Sequence, residues 1–163
     1  MWGGIPRSIV SASLVLLLAT LGAQQLPGTA PITARAAATF DNNAAEQQLF
    51  DLINQDRARN GLGALTWSSC LYNVARGQAA YLASPNVAFQ HYGGVQQDLG
   101  CHLGAQVGEN IGWWSGGVND SQLNTMFMNS AEHRANILGP YRYVATAWAV
   151  RSDGRAYIAV EFG

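Results

Sequence analysis

The sequence predicts an α/β protein, a three-layer α/β/α sandwich around a small central antiparallel sheet. Two observations carry this expectation. The C-terminal residues read as a hairpin, Val144 to Arg151 and Arg155 to Phe162 about Ser152-Asp153-Gly154, and both of its faces are apolar, so the sheet needs cover on both sides. Upstream, four segments carry the apolar period of helices that can supply that cover. With Asp153-Gly154 as a two-residue turn, Ala147 pairs with Val160 and Trp148 with Ala159. One face then carries Ala145, Ala147, Ala149, Ile158, Val160 and Phe162, and the other carries Val144, Thr146, Trp148, Val150 and Tyr157.

The chain begins with a single positive charge within Met1 to Arg7, an apolar run from Ile9 to Ala23 and then small residues, the layout of a secretory signal. The competing reading is a membrane anchor, but the run falls short of the ~20 residues that span a bilayer. Cleavage after Ala23, Ala36 or Ala38 fits, and residues 24–38 read as a processing or linker segment. Residues 1–38 are thus set aside, and 39–163 are expected to form one domain. The chain has 9 Arg, no Lys and 10 acidic residues; without Arg7 and Arg35, seven Arg face ten acids, a net −3. No basic stripe is present, which argues against nucleic-acid binding.

Asp41, Asn42 and Asn43 are N-cap types ahead of a helix with Leu49, Leu52 and Ile53 on one stripe and Phe50 at its edge, and Gly61 supplies a left-handed stop. Ser68 or Ser69 caps a second helix whose Leu71, Val74, Ala75, Gln78, Ala79 and Leu82 share one face, and Ser84-Pro85 ends it. The stretch from Asn86 to Val107 reads as one long loop holding His91 and His102, a length more often functional than idle. From Glu109 the chain reads as a strand, with Ile111 and Trp113 on one face and Asn110, Gly112 and Trp114 on the other. Asn119 or Asp120 caps a helix carrying Leu123, Met126 and Phe127, and Ser130 caps a short one that ends before Gly139-Pro140.

Cys70 and Cys101 form an even pair in what reads as an exported chain, which predicts a disulfide; two buried free thiols are the alternative. Glu109 shares a strand face with Ile111 and Trp113, where an unpaired charge is costly, so it requires a partner. A backbone N–H, an imidazole or a metal would serve. His133 lies in the first turn of the short helix, where the positive helix end favours the neutral, ligand-competent ring; a core histidine satisfied by backbone is the plainer account. Ser130 with His133 has no Gly-x-Ser-x-Gly elbow around it and an N-cap role already, which argues against a serine hydrolase. His91, Glu109 and His133, on a loop, a strand start and a helix start, are expected to meet in one cleft and satisfy one another's burial.

Gly108-Glu109-Asn110-Ile111, followed by Met128-Asn129-Ser130 and then His133-Arg134-Ala135-Asn136-Ile137-Leu138, resembles the CAP superfamily in its bacterial form, also called the SCP domain. Asn54, Arg57, Gly61-Leu62, Trp67 and the closing Glu161-Phe162-Gly163 fit the same pattern. The resemblance implies an α/β/α sandwich and a central cleft of histidines and glutamates that holds a divalent metal in some members. On it, His91 matches the first histidine, Glu109 the glutamate and His133 the second histidine. Phe127, Ala131 and Glu132 depart from the Trp, Pro and Gly common in bacterial relatives, and no second cleft glutamate is carried over. The expected function is a secreted, extracellular and non-enzymatic binding module. Its ligands would be a weakly held zinc or magnesium ion and a lipid or an envelope or host protein, with no stable membrane span after signal cleavage. The alternative is a metal-dependent, protease-like hydrolase with Glu109 as general base.

Overall fold

The computed structural model describes residues 42–163; the expected signal and linker segment and the Asp41 cap lie outside the described residues. Among the described residues the elements run α1 (Asn42–Arg59), β1 (Thr66–Trp67), α2 (Ser69–Ala83), α3 (Gly94–Gly100), β2 (Gly108–Trp114), α4 (Asp120–Asn129), α5 (Ala131–Ile137), β3 (Tyr143–Val150) and β4 (Ala156–Phe162). The sheet order is β1-β3-β4-β2, with β1 parallel to β3 and the other pairings antiparallel. Helix α2 covers one face with α3 beside it, and α1, α4 and α5 cover the other, so the expected α/β/α layering is present.

The apolar stripe of α2 is buried as the sequence requires: Leu71, Val74, Ala75, Gln78, Ala79 and Leu82 all face inward, and the Ser68 hydroxyl caps the helix by accepting from the Leu71 N–H. Beneath it the sheet offers Ala147 and Ala159, small residues that let the helix approach. On the opposite face Leu49 and Ile53 of α1 and Leu123 and Phe127 of α4 pack on Val144, Trp148, Ile158, Val160 and Phe162. Helix α1 ends at Gly61, whose φ is +74°. There the Leu62 N–H reaches the Arg57 carbonyl and the Gly61 N–H that of Ala58, each at 3.0 Å, closing a Schellman turn. Arg57 itself is buried, and its guanidinium donates to the carbonyls of Gly63, Ile137 and Gly139, fastening α1 to the end of α5.

Four local expectations are corrected. The hairpin pairs Ala147 with Ala159 and Trp148 with Ile158, one residue from the expected register. The Gly154 N–H bonds back to the Arg151 carbonyl and Arg151 pairs with Arg155, so the loop is the three residues Ser152-Asp153-Gly154, with Gly154 at φ +85°. A shift of one residue exchanges faces along a whole strand: Ile158, Val160 and Phe162 join Val144, Thr146 and Trp148, while Tyr157, Ala159 and Glu161 join Ala145, Ala147 and Ala149. The expected long loop contains α3. Met126 and Trp113 are partly exposed rather than core. Ser130 occupies the N-cap position of α5 with no side-chain cap hydrogen bond, because its preceding helix runs directly into the next.

Candidate functional site

Helix α2 delivers His91. Gln78 donates to the Gln90 carbonyl at 3.0 Å, and Tyr81 stacks on Tyr92 with ring centroids 4.4 Å apart, so the loop is gripped on both sides of the histidine. Cys101, at the C-terminal cap of α3, is bonded to Cys70 in the first turn of α2, so the expected disulfide holds the other end of this segment. The imidazole Nδ1 lies 2.8 Å from Glu109 Oε1. Among the described residues the imidazole is the side-chain partner of Glu109.

Glu109 is the second residue of β2, where the Asn136 Nδ2 donates to its main-chain carbonyl at 3.1 Å and to Asn110 Oδ1 at 2.8 Å. Asn110 in turn donates to the His133 carbonyl at 2.9 Å, so the Glu109-Asn110 pair grips α5 and locates His133. The glycine before the pair has a steric reason, since a Cβ on Gly108 would meet the Tyr141 hydroxyl and come within 2.9 Å of Asn136 Oδ1. The half-buried His133 ring packs on Phe127 at 5.0 Å between centroids. Burial first, then the charge of nearby His91, pushes the His133 pKa down, with Glu132 opposing. His102 is exposed, beside Cys101, with φ +55°.

The sequence reading missed two members of the site. Asp98 of α3 and Glu161 of β4 are fully buried, and Glu161 lies opposite Glu109 in the β2–β4 ladder. Both oxygens of Asp98, both of Glu161 and Oε2 of Glu109 are buried without a conventional donor. Two facing carboxylates cannot satisfy each other unless one keeps its proton. Burial, then the charges of Asp98 and Glu109, pushes Glu161 up to about 11, which favours its neutral, donor-capable form beside Asp98. Asp98 is itself pushed up to about 7, mainly by burial, with the Glu161 hydrogen bond opposing. Glu109 is raised by burial and held back by His91. A lone carboxylate in the apolar run Tyr157 to Phe162 was the available signal for Glu161; Asp98 had none while α3 was read as loop.

A divalent cation needs deprotonated oxygens and neutral ring nitrogens. The unpartnered Glu109 Oε2 and the neutral His133 suit it, and the His91 side chain is 57% exposed. Among the described residues, however, no three His, Cys, Asp or Glu side chains are grouped so as to hold one ion. Beside His133 opens an apolar groove of about 430 Å³, lined by Phe89, the β2 residues Ile111 to Trp114, Met126 and Phe127.

A model of the cysteine-rich secretory protein (CAP) family matches residues 50–162. No curated protein matches the chain. Among solved structures, an outer surface protein of Borrelia burgdorferi is 17% identical with a TM-score of 0.64, covering 76% of this chain and 94% of that one. An extracellular SCP-domain protein of Bacillus anthracis is 24% identical with a TM-score of 0.62, covering 74% of this chain and 40% of that one. A cysteine-rich secretory protein of Staphylococcus aureus is 24% identical with a TM-score of 0.58, covering 76% and 39%. The chain thus spans about two fifths of the length of these last two, and at such identities the likeness is one of fold.

Proposed function

The chain belongs to the cysteine-rich secretory protein (CAP) family, and from that premise we propose that it is an exported, non-enzymatic binding module working through the cleft of His91, Glu109 and His133. The observation that carries this reading is the His91–Glu109 pair, in which one carboxylate oxygen is engaged and the other, buried Oε2 has no partner. A polar atom left in that condition costs on the order of 1–3 kcal/mol, and a cation or a ligand N–H would relieve it. The disulfide suits an oxidising compartment, and the structural relatives include an outer surface protein and an extracellular one. No helix of the described residues is long and apolar enough to cross a membrane.

A zinc or magnesium ion at this cleft would be held by Glu109 with one imidazole at a time, the rest of its shell being water, and would therefore bind weakly. Its chemistry there would be electrostatic, offsetting the carboxylate charge. Protons would compete with the ion for the His133 ring, so affinity falls toward acid pH. Nothing in the geometry or the relatives favours the hydrolase alternative. Calorimetry with zinc tests the reading: the wild type should bind, and a His91→Ala, His133→Ala double variant should bind at least tenfold more weakly. Equal binding by the two would remove the cleft from consideration as a metal site.

A further inference from the structure

Strand β2 is an outer strand of the sheet, and its unpaired side has a definite chemistry. Tyr143 and Gly163 exchange both main-chain hydrogen bonds, at 2.8 and 3.1 Å, which sets the alternation along β4: odd-numbered residues turn their main chain to β3 and even-numbered ones to β2. The partners of those even residues in β2 are Gly108, Asn110, Gly112 and Trp114. The N–H and C=O groups of Glu109, Ile111 and Trp113 therefore face away from the sheet. Asn136 takes the Glu109 carbonyl. Those of Ile111 and Trp113 have no hydrogen-bond partner among the described residues.

This free edge is the floor of the apolar groove. Phe89 stands on one side, 49% exposed, and Met126 on the other, 42% exposed. Gly112 keeps the floor low, since a Cβ there would fall 2.7 Å from Leu123 Cδ1 and 3.1 Å from Phe127 Cζ. At the far end the Arg155 guanidinium lies 4.6 Å over the Trp113 ring and forms no ion pair among the described residues.

We propose that the β2 edge binds an extended polypeptide segment by strand addition, with an apolar side chain in the groove and an acidic group toward Arg155. The inference rests on the binding-module reading and names the ligand class. An acyl chain would fill the apolar space but offers no alternating donors and acceptors to Ile111 and Trp113, whereas a peptide main chain matches them. The unpaired Arg155 supplies charge complementarity for a carboxylate on the same ligand.

The probe is a fluorescein-labelled synthetic peptide alternating Thr and Val about a central Phe and ending in two Glu residues, titrated with the full chain by anisotropy. Trp113→Pro removes one outward N–H without touching the ladder to β4, because proline is tolerated where the N–H faces outward. It should weaken binding at least tenfold, while Trp113→Thr, which keeps the N–H, should weaken it less than threefold. Arg155→Gln should weaken the Glu-ended peptide several-fold and leave a Gln-ended one unchanged. A peptide N-methylated at alternate amides should lose binding on the unaltered protein, which keeps the test sound if the proline variant fails to fold. Absence of peptide binding, or equal binding of the N-methylated peptide, overturns the proposal. So does uptake of phosphatidylcholine vesicles in place of peptide, or concentration-dependent dimerisation lost in Trp113→Pro. Zinc titration run alongside separates the two readings, since a metal-free cleft leaves the peptide result untouched.

Discussion

Glu161 stands directly across from Glu109 in the β2–β4 pairing, and the side chains of both are buried on the face that α3 covers with Asp98. Three carboxyl groups are gathered under one short helix, and His91 is the ion-pair partner they have among the described residues.

The first prediction concerns pH. The folded-state pKa values of Asp98 and Glu161 are raised above those of the unfolded chain, to about 7 and about 11, so the folded state holds more protons between the two limits. Stability therefore falls as pH rises above the ordinary carboxylate range of roughly 4, with the Asp98 contribution spent near its raised value and the Glu161 contribution continuing beyond it. Glu161→Gln keeps a donor toward Asp98 and cannot ionise. It should stabilise the protein at pH 8 by on the order of 1–2 kcal/mol, several degrees in Tm, and change little at pH 5. Thermal unfolding at both pH values measures it, and parallel curves for wild type and variant would contradict it.

Gly94, the first residue of α3, lies against Glu109, and a Cβ there would overlap Oε2 and sit 3.1 Å from Cδ. Gly94→Ala should cost about 1–3 kcal/mol by displacing a buried side chain. The cost should largely vanish in a Glu109→Ala background, an interaction energy readable from urea denaturation of the four proteins. Additive losses would mean that the strain lies elsewhere.

Arg57→Lys retains the charge and loses the fork that reaches the carbonyls of Gly63, Ile137 and Gly139. A loss of about 2–4 kcal/mol is expected, since a buried ammonium reaches too few of these acceptors. A change in the urea midpoint worth less than roughly 0.5 kcal/mol, the size of an ordinary surface effect, would contradict the role assigned to the fork.

The intact protein should show no alkylatable thiol when denatured without reductant, because Cys70 and Cys101 are bonded. The double Cys→Ser variant should lose about 3–4 kcal/mol in the chain-entropy model for a loop of this length. Hydrogen exchange should accelerate first in α3 and the His91 loop, which the bond fastens to α2. Uniform acceleration across the sheet would instead indicate a global effect.

Sequence periodicity located the buried face of α2 residue by residue, because a one-faced helix writes its burial directly into the spacing of Leu71, Val74, Ala75, Gln78, Ala79 and Leu82, while its cap stayed open between Ser68 and Ser69. Gly61 was equally legible, since a left-handed helix stop has few alternatives to glycine. The hairpin register was not, because Asp153-Gly154 fits both a two-residue turn and the end of a three-residue loop, and apolar residues on both faces leave no pattern to choose between them. That ambiguity hid Glu161: its face depends on the register. In the site, Glu109's need for a partner followed from its apolar strand face, while Asp98 depended on α3, whose two terminal glycines and exposed Val95 and Leu99 give little helical signal.

Helix α5 has one further consequence. Asn136 caps the Glu109 carbonyl and Asn110 holds the His133 carbonyl, so α5 closes the Glu109 end of the β2 edge and leaves the Ile111 to Trp113 stretch open. Uncontrolled stacking of copies into a fibre needs a long run of unmet main-chain groups, and the run left on β2 is short, the Glu109 N–H and the groups of Ile111 and Trp113. Two asparagines thereby keep a sheet with an open side from polymerising, and substituting Asn136 would show first as turbidity on storage rather than as unfolding.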